Sequence, residues 1–387
     1  CQVIIVRHLP QKTLIQQPFK FTLKPSSEQL DLMRQFAGSG RFAWNKFLAM
    51  NLERLEKKQN ILWYQEMAFW LTVWKDSEEY GFLKQVHSQV LQQKIKDLDK
   101  AFKDGFDKKQ PHKKIPVFKK KGLSDSFRYP QGFKLDQAHN KIFLPKMGWV
   151  KYFNSQKIIG DPKNITVSRR GKHWYCSVQV EYEALIPVHP AKNIVGLDLG
   201  VARFLTLSNG EFVSPENNFR KHEKKLAWQQ KKLSRKIKFS QNWRKQKQKI
   251  VQTHEKISDC RTDFLHKVSS HLSKNHAMIV LEDLKIKNMS ASAKGDLENP
   301  GKNVQAKSGL NRSILDQGWA KFVSQLEYKQ SWSGGHVLKV PAHHTSQTCP
   351  VCSHVDKENR KSQSEFECSA CHYAENADLV GALNILA

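Results

Sequence analysis

Four cysteines near the end of the chain stand in two pairs, Cys349-Pro-Val-Cys352 and Cys368-Ser-Ala-Cys371, separated by fifteen residues. Each CxxC puts two thiolates on one tight knuckle, and two knuckles complete a tetrahedral four-sulfur shell for zinc. The residues between them are polar and charged and build no core without metal, so metal binding would itself supply folding energy. Four protein ligands leave no open position, which makes the expected role structural. His354 and His372 flank the knuckles and are expected to be exposed polar residues rather than ligands. The other cysteines, Cys1, Cys176 and Cys260, are scattered. This is metal-site usage in a reducing compartment, not a secreted disulfide framework.

Three acids stand out by context. Asp198 follows a buried-strand pattern in Ile194-Val-Gly-Leu-Asp-Leu-Gly, Glu282 closes the apolar run Ala277-Met-Ile-Val-Leu, and Asp378 opens a helix-like Asp-Leu-Val-Gly-Ala-Leu-Asn-Ile-Leu seven residues after Cys371. Acids at the ends of core strands and at a helix start can converge on one edge of a sheet. Convergent carboxylates are costly unless cations neutralise them. Two Mg²⁺ ions roughly 3.5–4 Å apart would do so and would drive in-line attack on a phosphodiester. An acid in such a place also serves as an N-cap or turn residue, and spacing alone leaves both readings open.

The elements that must position these groups follow from periodicity. Residues 1–24 read as strands, Val3-Ile-Ile-Val and then Phe19-Lys-Phe-Thr-Leu. From Ser26 and Ser27, plausible N-caps, the spacing of Leu30, Met33, Phe36, Phe42, Phe47 and Leu48 is helical, and helical patterns continue through 63–74 and 86–102. After a basic stretch at Lys113–Lys121 with Pro116, strand signals return at 141–144, 165–167 and 174–182. A helical block set between β segments predicts one β domain with a helical insertion. Residues 187–192 read as a linker, followed by strands at 194–200 and 204–207. A single long helix is expected over 220–249, another over 251–274, a flexible loop over 288–309, an amphipathic helix over 313–332 and a strand over 337–340.

Sixty-four Lys and Arg oppose thirty-six Asp and Glu, a formal net charge of +28 over 387 residues. Such an excess points to a polyanionic partner, nucleic acid first. No apolar run is long enough to span a bilayer, so no membrane partner is expected. Residues 220–249 carry thirteen Lys or Arg against one acid, Glu223. This run, including Lys224, Lys225, Lys231, Lys232 and Arg235, is expected to track phosphates together with Lys119, Lys120 and Lys121. The N-terminus has no signal-peptide pattern, so an intracellular location is expected. The chain begins at Cys1 rather than Met, which leaves room for residues ahead of it.

The order of these features, strand with D-x-G, apolar strand ending in Glu, zinc knuckles, then a late Asp, resembles the RuvC-type RNase H fold of TnpB proteins, transposon-encoded relatives of the type V CRISPR effector nucleases. The stretches that carry the resemblance are Gly196-Leu-Asp-Leu-Gly200, Ile279-Val-Leu-Glu-Asp283, Leu310-Asn-Arg-Ser-Ile-Leu-Asp-Gln-Gly-Trp319, Thr345-Ser-Gln-Thr-Cys-Pro-Val-Cys352, Phe366-Glu-Cys-Ser-Ala-Cys371 and Ala377-Asp-Leu-Val-Gly-Ala-Leu-Asn-Ile385, with Gly38-Ser-Gly-Arg-Phe-Ala-Trp-Asn-Lys-Phe47 near the start.

The resemblance implies a multidomain α+β and α/β chain. Residues 1–25 and 113–190 would form a β-barrel wedge domain, 26–112 an inserted helical recognition domain, 191–344 and 375–387 a RuvC nuclease domain, and 345–374 a zinc-ribbon insertion. It implies an RNA-guided DNA endonuclease of a transposable element that binds a guide RNA from the transposon end. It would recognise a short target-adjacent motif and cut double-stranded DNA with one Mg²⁺-dependent site, acting as a monomer in its ribonucleoprotein in a prokaryotic, nucleoid-associated cytoplasm. The catalytic acids carried over are Asp198, Glu282 and Asp378. Motif-reading contacts carried over are Tyr64, Ser88, Gln89, Gln92, Phe127 and Arg128. The alternatives are an RNA-guided binder without cleavage and an accessory transposition protein, although no Tyr or Ser recombinase arrangement is present. The chain departs from the family in two places. Val380 stands where the last motif, D-x-N-A-A-x-N, has a polar Asn, which questions a supporting hydrogen bond there. Ser353 and His372 stand where Gly often follows each knuckle, so strain is expected in those turns.

Overall fold

The computed structural model describes residues 12–110, 112–122, 125–185, 187–296 and 298–387, so the expected strand at Val3–Val6 lies outside the described residues, as do Cys1 and Leu297 of the expected loop. The chain divides into two compact units that part at Leu185 and Ile186.

The first unit begins with β1 (Lys12–Lys24), followed by α1 (Ser27–Glu56), α2 (Tyr64–Asp76) and α3 (Ser88–Phe106). Ser26 caps α1 in a reciprocal box: its hydroxyl accepts from the Gln29 amide at 3.2 Å, and the Gln29 side chain accepts from the Ser26 amide at 3.1 Å. Strands β2 (Ser126–Tyr129), β3 (Lys134–Asp136), β4 (Lys141–Leu144), β5 (Gly148–Tyr152), β6 (Asp161–Arg170) and β7 (His173–Leu185) join β1 in an antiparallel seven-stranded sheet of order β2-β6-β7-β1-β5-β4-β3. Alternation along β7 buries Trp174, Cys176, Val178 and Val180, which fixes its register. The Tyr129 hydroxyl on edge strand β2 donates to the Pro145 carbonyl in the β4–β5 turn at 2.9 Å, so the sheet curls far enough to bring β2 to that turn. Helices α1 and α3 pack against β2, with the Phe36 and Phe127 rings 5.6 Å apart. Phe127 is 1% exposed in this core. The expected contact between Phe127 and duplex DNA is therefore corrected: alternation on β2 points Phe127 inward and Arg128 outward.

The second unit is built on β8 (Ile194–Asp198), β9 (Leu205–Leu207), β10 (Phe212–Val213), β11 (Met278–Glu282) and β12 (His336–Val340), in the order β10-β9-β8-β11-β12. Strands β8, β11 and β12 run parallel, while β9 and β10 return as an antiparallel meander. Between β10 and β11 lie α4 (Asn218–Ser234) and α5 (Gln241–Asn275). The expected continuous helix over 220–249 is corrected: a tight turn at 235–240 divides it, and Ser240 caps α5 by accepting from the Trp243 amide at 3.1 Å. After α6 (Ile286–Met289), α7 (Val304–Gln317) starts inside the stretch expected to be loop, and α8 (Trp319–Ser333) follows. The expected helix over 313–332 is likewise two helices, because Gly318 sits at φ +73°, outside helical space.

The ribbon hairpin β13 (Glu365–Glu367) and β14 (Ala374–Asn376) leads into α9 (Ala377–Leu386), which lies on β8. Two glycines make that approach possible. A Cβ on Gly196 would fall 2.3 Å from the Ala382 carbonyl oxygen, and one on Gly381 would fall 3.1 Å from an Asp198 carboxylate oxygen. No helix among the described residues is long and apolar enough to cross a membrane. We expect Gly196→Ala to cost about 1–3 kcal/mol, because the obstacle is helix backbone rather than a flexible side chain. Chemical denaturation should show the loss, and Gly309→Ala, a helix glycine with open space around it and no positive φ, should keep stability and the α9 contact.

Candidate active site, metal centre and nucleic-acid interface

Parallel pairing of β8 and β11 sets Leu197 opposite Leu281, so Asp198 and Glu282 follow side by side at the same sheet edge. Helix α9 brings the third acid: Asp378 lies in its first turn, one turn ahead of Gly381 under Asp198. Asn376 caps that helix, accepting from the Asp378 amide at 3.1 Å and from Arg203 at 3.3 Å. Asp198 and Asp378 line one cleft of about 870 Å³, which also holds Arg220, Arg312 and Arg360, while Glu282 lines the adjoining one. Burial, then the charges of Glu282 and Asp378, push the Asp198 carboxyl up to about 7, and Arg360 acts in the opposite sense. The carboxylates do not close to ligand distance on their own. Among the described residues only the four cysteines form a set of three or more His, Cys, Asp or Glu with ligand atoms all within 4.8 Å.

The cysteines have the geometry of a closed four-sulfur centre. The Sγ atoms of Cys349 and Cys371 lie 3.6 Å apart, and those of Cys352 and Cys368 lie 3.5 Å apart, near the roughly 3.8 Å edge of a tetrahedron with zinc–sulfur bonds of about 2.3 Å. Burial raises the Cys368 thiol, but amides of Cys371 and Ala370 pointing at its sulfur outweigh that and bring it down to about 6. The donor set and spacing fit a soft, tetrahedral cation. Each knuckle closes the same way: Ser353 donates its amide to Cys349 at 2.9 Å and His372 to Cys368 at 3.0 Å, both in the left-handed region at φ +58°. The strain expected from missing glycines therefore falls on these two residues.

Buried Asn359 joins the knuckles. Its side-chain amide donates to the Gln347 and His354 carbonyls at 2.9 and 3.2 Å, and its oxygen accepts from the Ser369 amide at 2.8 Å. Its neighbour Arg360 is thereby held in the cleft of the acids, a residue that sequence spacing does not single out. Asn384 of α9 donates to the Thr345 and Thr348 carbonyls, both at 2.7 Å, and the Thr345 hydroxyl donates to the Glu282 carboxylate. Val380, fully buried, packs with Cys349, Phe366, Cys368 and Ala377. Where the family motif has Asn, this chain carries an apolar plug between ribbon and helix. A further residue the sequence does not reveal is Asp316. Its buried carboxylate accepts from the Phe219 amide at 3.1 and 3.0 Å and from Arg261 at 2.6 Å, fixing the start of α4 to α5 and α7.

The expected nucleic-acid contacts divide. Ser88 and Gln92 are exposed one turn apart on α3, and Ser88 accepts from Lys75 at 3.1 Å. Gln89 is half-buried with its side-chain oxygen unpaired, and Tyr64 is half-buried under Lys96, 5.0 Å from the ring centre. Arg128 pairs with Asp97 at 3.4 Å and stays partly exposed. Lys119 is half-buried over the Trp44 ring at 3.4 Å, and burial, then Lys94, bring its ammonium down to about 8. Lys120, Lys121, Lys224, Lys225, Lys231, Lys232 and Arg235 are exposed.

The fold and these two clusters define a two-unit chain of mixed α/β architecture. A solved structure titled "Cryo-EM structure of the Cas12f1-sgRNA-target DNA complex" shares that fold, with a TM-score of 0.54 at 14% identity over 97% of this chain and 99% of that one. Residues 177–293 match the family described as "Probable transposase", 319–385 the "Cas12f1-like, TNB domain", and 15–60 a "Helix-turn-helix domain". Over that last span the chain forms β1 and the single helix α1. The chain is 54% identical over 371 residues, 96% of its length and 92% of the relative's, to the Escherichia coli K12 protein named "Putative RNA-guided DNA endonuclease InsQ". It is 29% identical over 378 residues, 96% of its length and 89% of the relative's, to a Streptomyces pristinaespiralis protein named "Putative RNA-guided DNA endonuclease". The chain belongs to the TnpB family.

The Asp198 shift has a defined sign. Because its carboxyl titrates at about 7 in the folded chain against 3.8 ordinarily, the folded state binds more protons than the unfolded one across that interval. Stability of the metal-free protein should therefore fall as pH rises from about 4 to 7. Asp198→Asn should flatten that decline and raise the melting temperature at pH 8, and an unchanged pH profile in the variant would refute the assignment.

Proposed function

We propose that the protein is an RNA-guided DNA endonuclease in which Asp198, Glu282 and Asp378 form one Mg²⁺-dependent site that cuts both strands of a target. The single observation that carries this reading is the convergence of three carboxylates on one sheet edge, with Asp198 raised to about 7 by burial and then by the other two. Oxygen donors with uncompensated charge fit hard divalent cations. Such cations, when bound, supply an activated water and charge stabilisation for phosphodiester hydrolysis. The chain's own groups do the positioning: Thr345 orients Glu282, Asn376 sets the first turn that carries Asp378, and Arg360 faces the cleft as a cation for a phosphate oxygen.

In this reading, residues 191–344 and 375–387 form an RNase H-like RuvC domain, supported by the parallel β8-β11-β12 core with its antiparallel β9–β10 extension. Residues 345–374 form a structural zinc ribbon held by Cys349, Cys352, Cys368 and Cys371. Residues 1–25 and 113–190 form the β-barrel wedge, supported by the curled sheet, with 26–112 as the recognition insertion. Tyr64, Ser88, Gln89, Gln92 and Arg128 read the target-adjacent motif, and Lys119, Lys120, Lys121 and the exposed basic residues of 220–235 track phosphates of a transposon-end guide RNA and its heteroduplex. Protein reads the short motif and duplex shape while base pairing reads sequence.

The test is to co-express the chain with its flanking RNA and incubate the particle with a motif-library plasmid and Mg²⁺. Linear product should form, fall by at least ~10³-fold in Asp198→Ala, and fall in Arg360→Ala by ~10–10³-fold. Binding without cutting by the unmutated protein would shift the reading to a guided repressor. Removing zinc should lower cleavage together with ribbon order, since Val380 and Asn384 join the knuckles to α9. A chelated protein with no bound zinc that still cuts at the normal rate would sink that link.

A further inference from the structure

The turn between α4 and α5 presents its apolar residues to solvent. Ile237 is 83% exposed and Phe239 62%, and on the adjoining helix Trp228 is 56% exposed. The turn is closed by the Ser240 amide donating to the Ile237 carbonyl at 3.1 Å, which puts Phe239 at its third position with φ +70°. That position in a type II turn favours Gly or Asn, and a bulky aromatic there is strained. Burial does not offset the strain, because the ring points outward. Each aromatic also carries a lysine: Lys232 lies 3.7 Å from the Trp228 ring centre, Lys238 5.3 Å from Phe239, and Lys247 5.0 Å from Trp243. Phe239 and Trp243 lie 5.5 Å apart.

Resting on the nucleic-acid reading above, we propose that Trp228, Phe239 and Trp243 form a stacking platform for unpaired bases of the guide RNA, with their lysines on the flanking phosphates. Rings interleaved with cations suit unpaired nucleotides, whose faces stack while their phosphates pair with charge. A solvated basic arm needs the lysines but not a strained, exposed phenyl ring. Position selects the RNA over the strand being cut. The start of α4 lines the catalytic cleft through Phe219 and Arg220, and seventeen helical residues carry the tip about 25 Å away. The arm is stiffened for this by Gln229, whose carbonyl accepts from Gln246 at 3.1 Å and whose side chain accepts from Thr253 at 3.0 Å.

The experiment uses the full chain and three probes: a twelve-nucleotide oligouridine, the matching oligothymidine, and a duplex RNA of equal length. Phe239→Gly should keep or raise the melting temperature by relieving the turn, yet lower oligouridine affinity ~10-fold. Trp228→Ala should lower affinity similarly and remove part of the tryptophan quenching seen on binding, leaving the Trp243 contribution. Duplex RNA affinity should change little in either variant. Equal oligouridine affinity in wild type and both variants would overturn the platform while leaving the nuclease reading intact. A loss confined to oligothymidine would overturn the RNA assignment in favour of displaced DNA. A concentration-dependent dimer in wild type, abolished in both variants and with RNA affinity untouched, would make a second copy the occupant. If the wild-type protein bound no RNA at all, the nucleic-acid reading itself would fail.

Discussion

Three carboxylates brought to one edge of the sheet are the arrangement around which the second unit is organised. Left free, they would tend to separate: burial first, and then the charges of Glu282 and Asp378, already raise the proton affinity of Asp198. The backbone prevents it. Strand pairing fixes Asp198 beside Glu282, and α9 cannot move off β8 without giving up the contact that Gly196 and Gly381 allow. The repulsion is thus opposed by apolar packing around Val195, Leu197, Ile279 and Leu281 rather than by ion pairs. On the proposed reading, a site built this way would be arranged for cations before any arrive.

The ribbon extends the same constraint. Its knuckles carry little apolar area of their own, and the small cluster of Cys349, Cys368 and Phe366 is completed by Ala377 and Val380 from α9. Order in the knuckles therefore holds the helix that carries Asp378. It also reaches Glu282 through Asn384 and Thr345, and it places Arg360 through Asn359. Asp378 stands only seven residues beyond Cys371, so the link is short enough for loss of ribbon order to be felt at the acids.

Much of this arrangement is legible in the sequence, and the exceptions have physical causes. Short apolar runs ending in an acid marked the ends of β8 and β11, and doubled CxxC marked the knuckles, because burial and ligand spacing leave strong local patterns. The breaks in the helices over 220–249 and 313–332 were hidden. One lies in a turn whose φ +70° residue is Phe rather than Gly, and the other at a single Gly318 within an uninterrupted apolar period. The loop expected over 288–309 lost its last residues to α7, where polar side chains face solvent and resemble a linker. Phe127 and Arg128 were grouped by proximity in sequence, but strand alternation separates them completely. Arg360, Asp316 and Asn359 act through contacts between distant segments, and nothing in their immediate neighbours announces that.

The charge distribution then sets an order of events. A nucleic acid approaching a chain of net charge +28 is attracted to exposed lysines of the α4–α5 arm and the 119–121 segment before it meets the acids. The cleft it enters is lined by Arg220, Arg312 and Arg360 as well as by the carboxyls of Asp198 and Asp378. Of the three arginines, Arg312 is paired with Glu223, while Arg360 is held by the Ser362 and Gln363 carbonyls at 3.3 and 3.1 Å and acts on the Asp198 carboxyl. On the proposed reading, a phosphate would be drawn to the ribbon side of the cleft and kept from the sheet edge until cations occupy it. On the proposed reading, binding by the arms and cleavage at the edge would be separable for this reason: the first would need only the protein's own lysines, and the second would need the three acids to be neutralised.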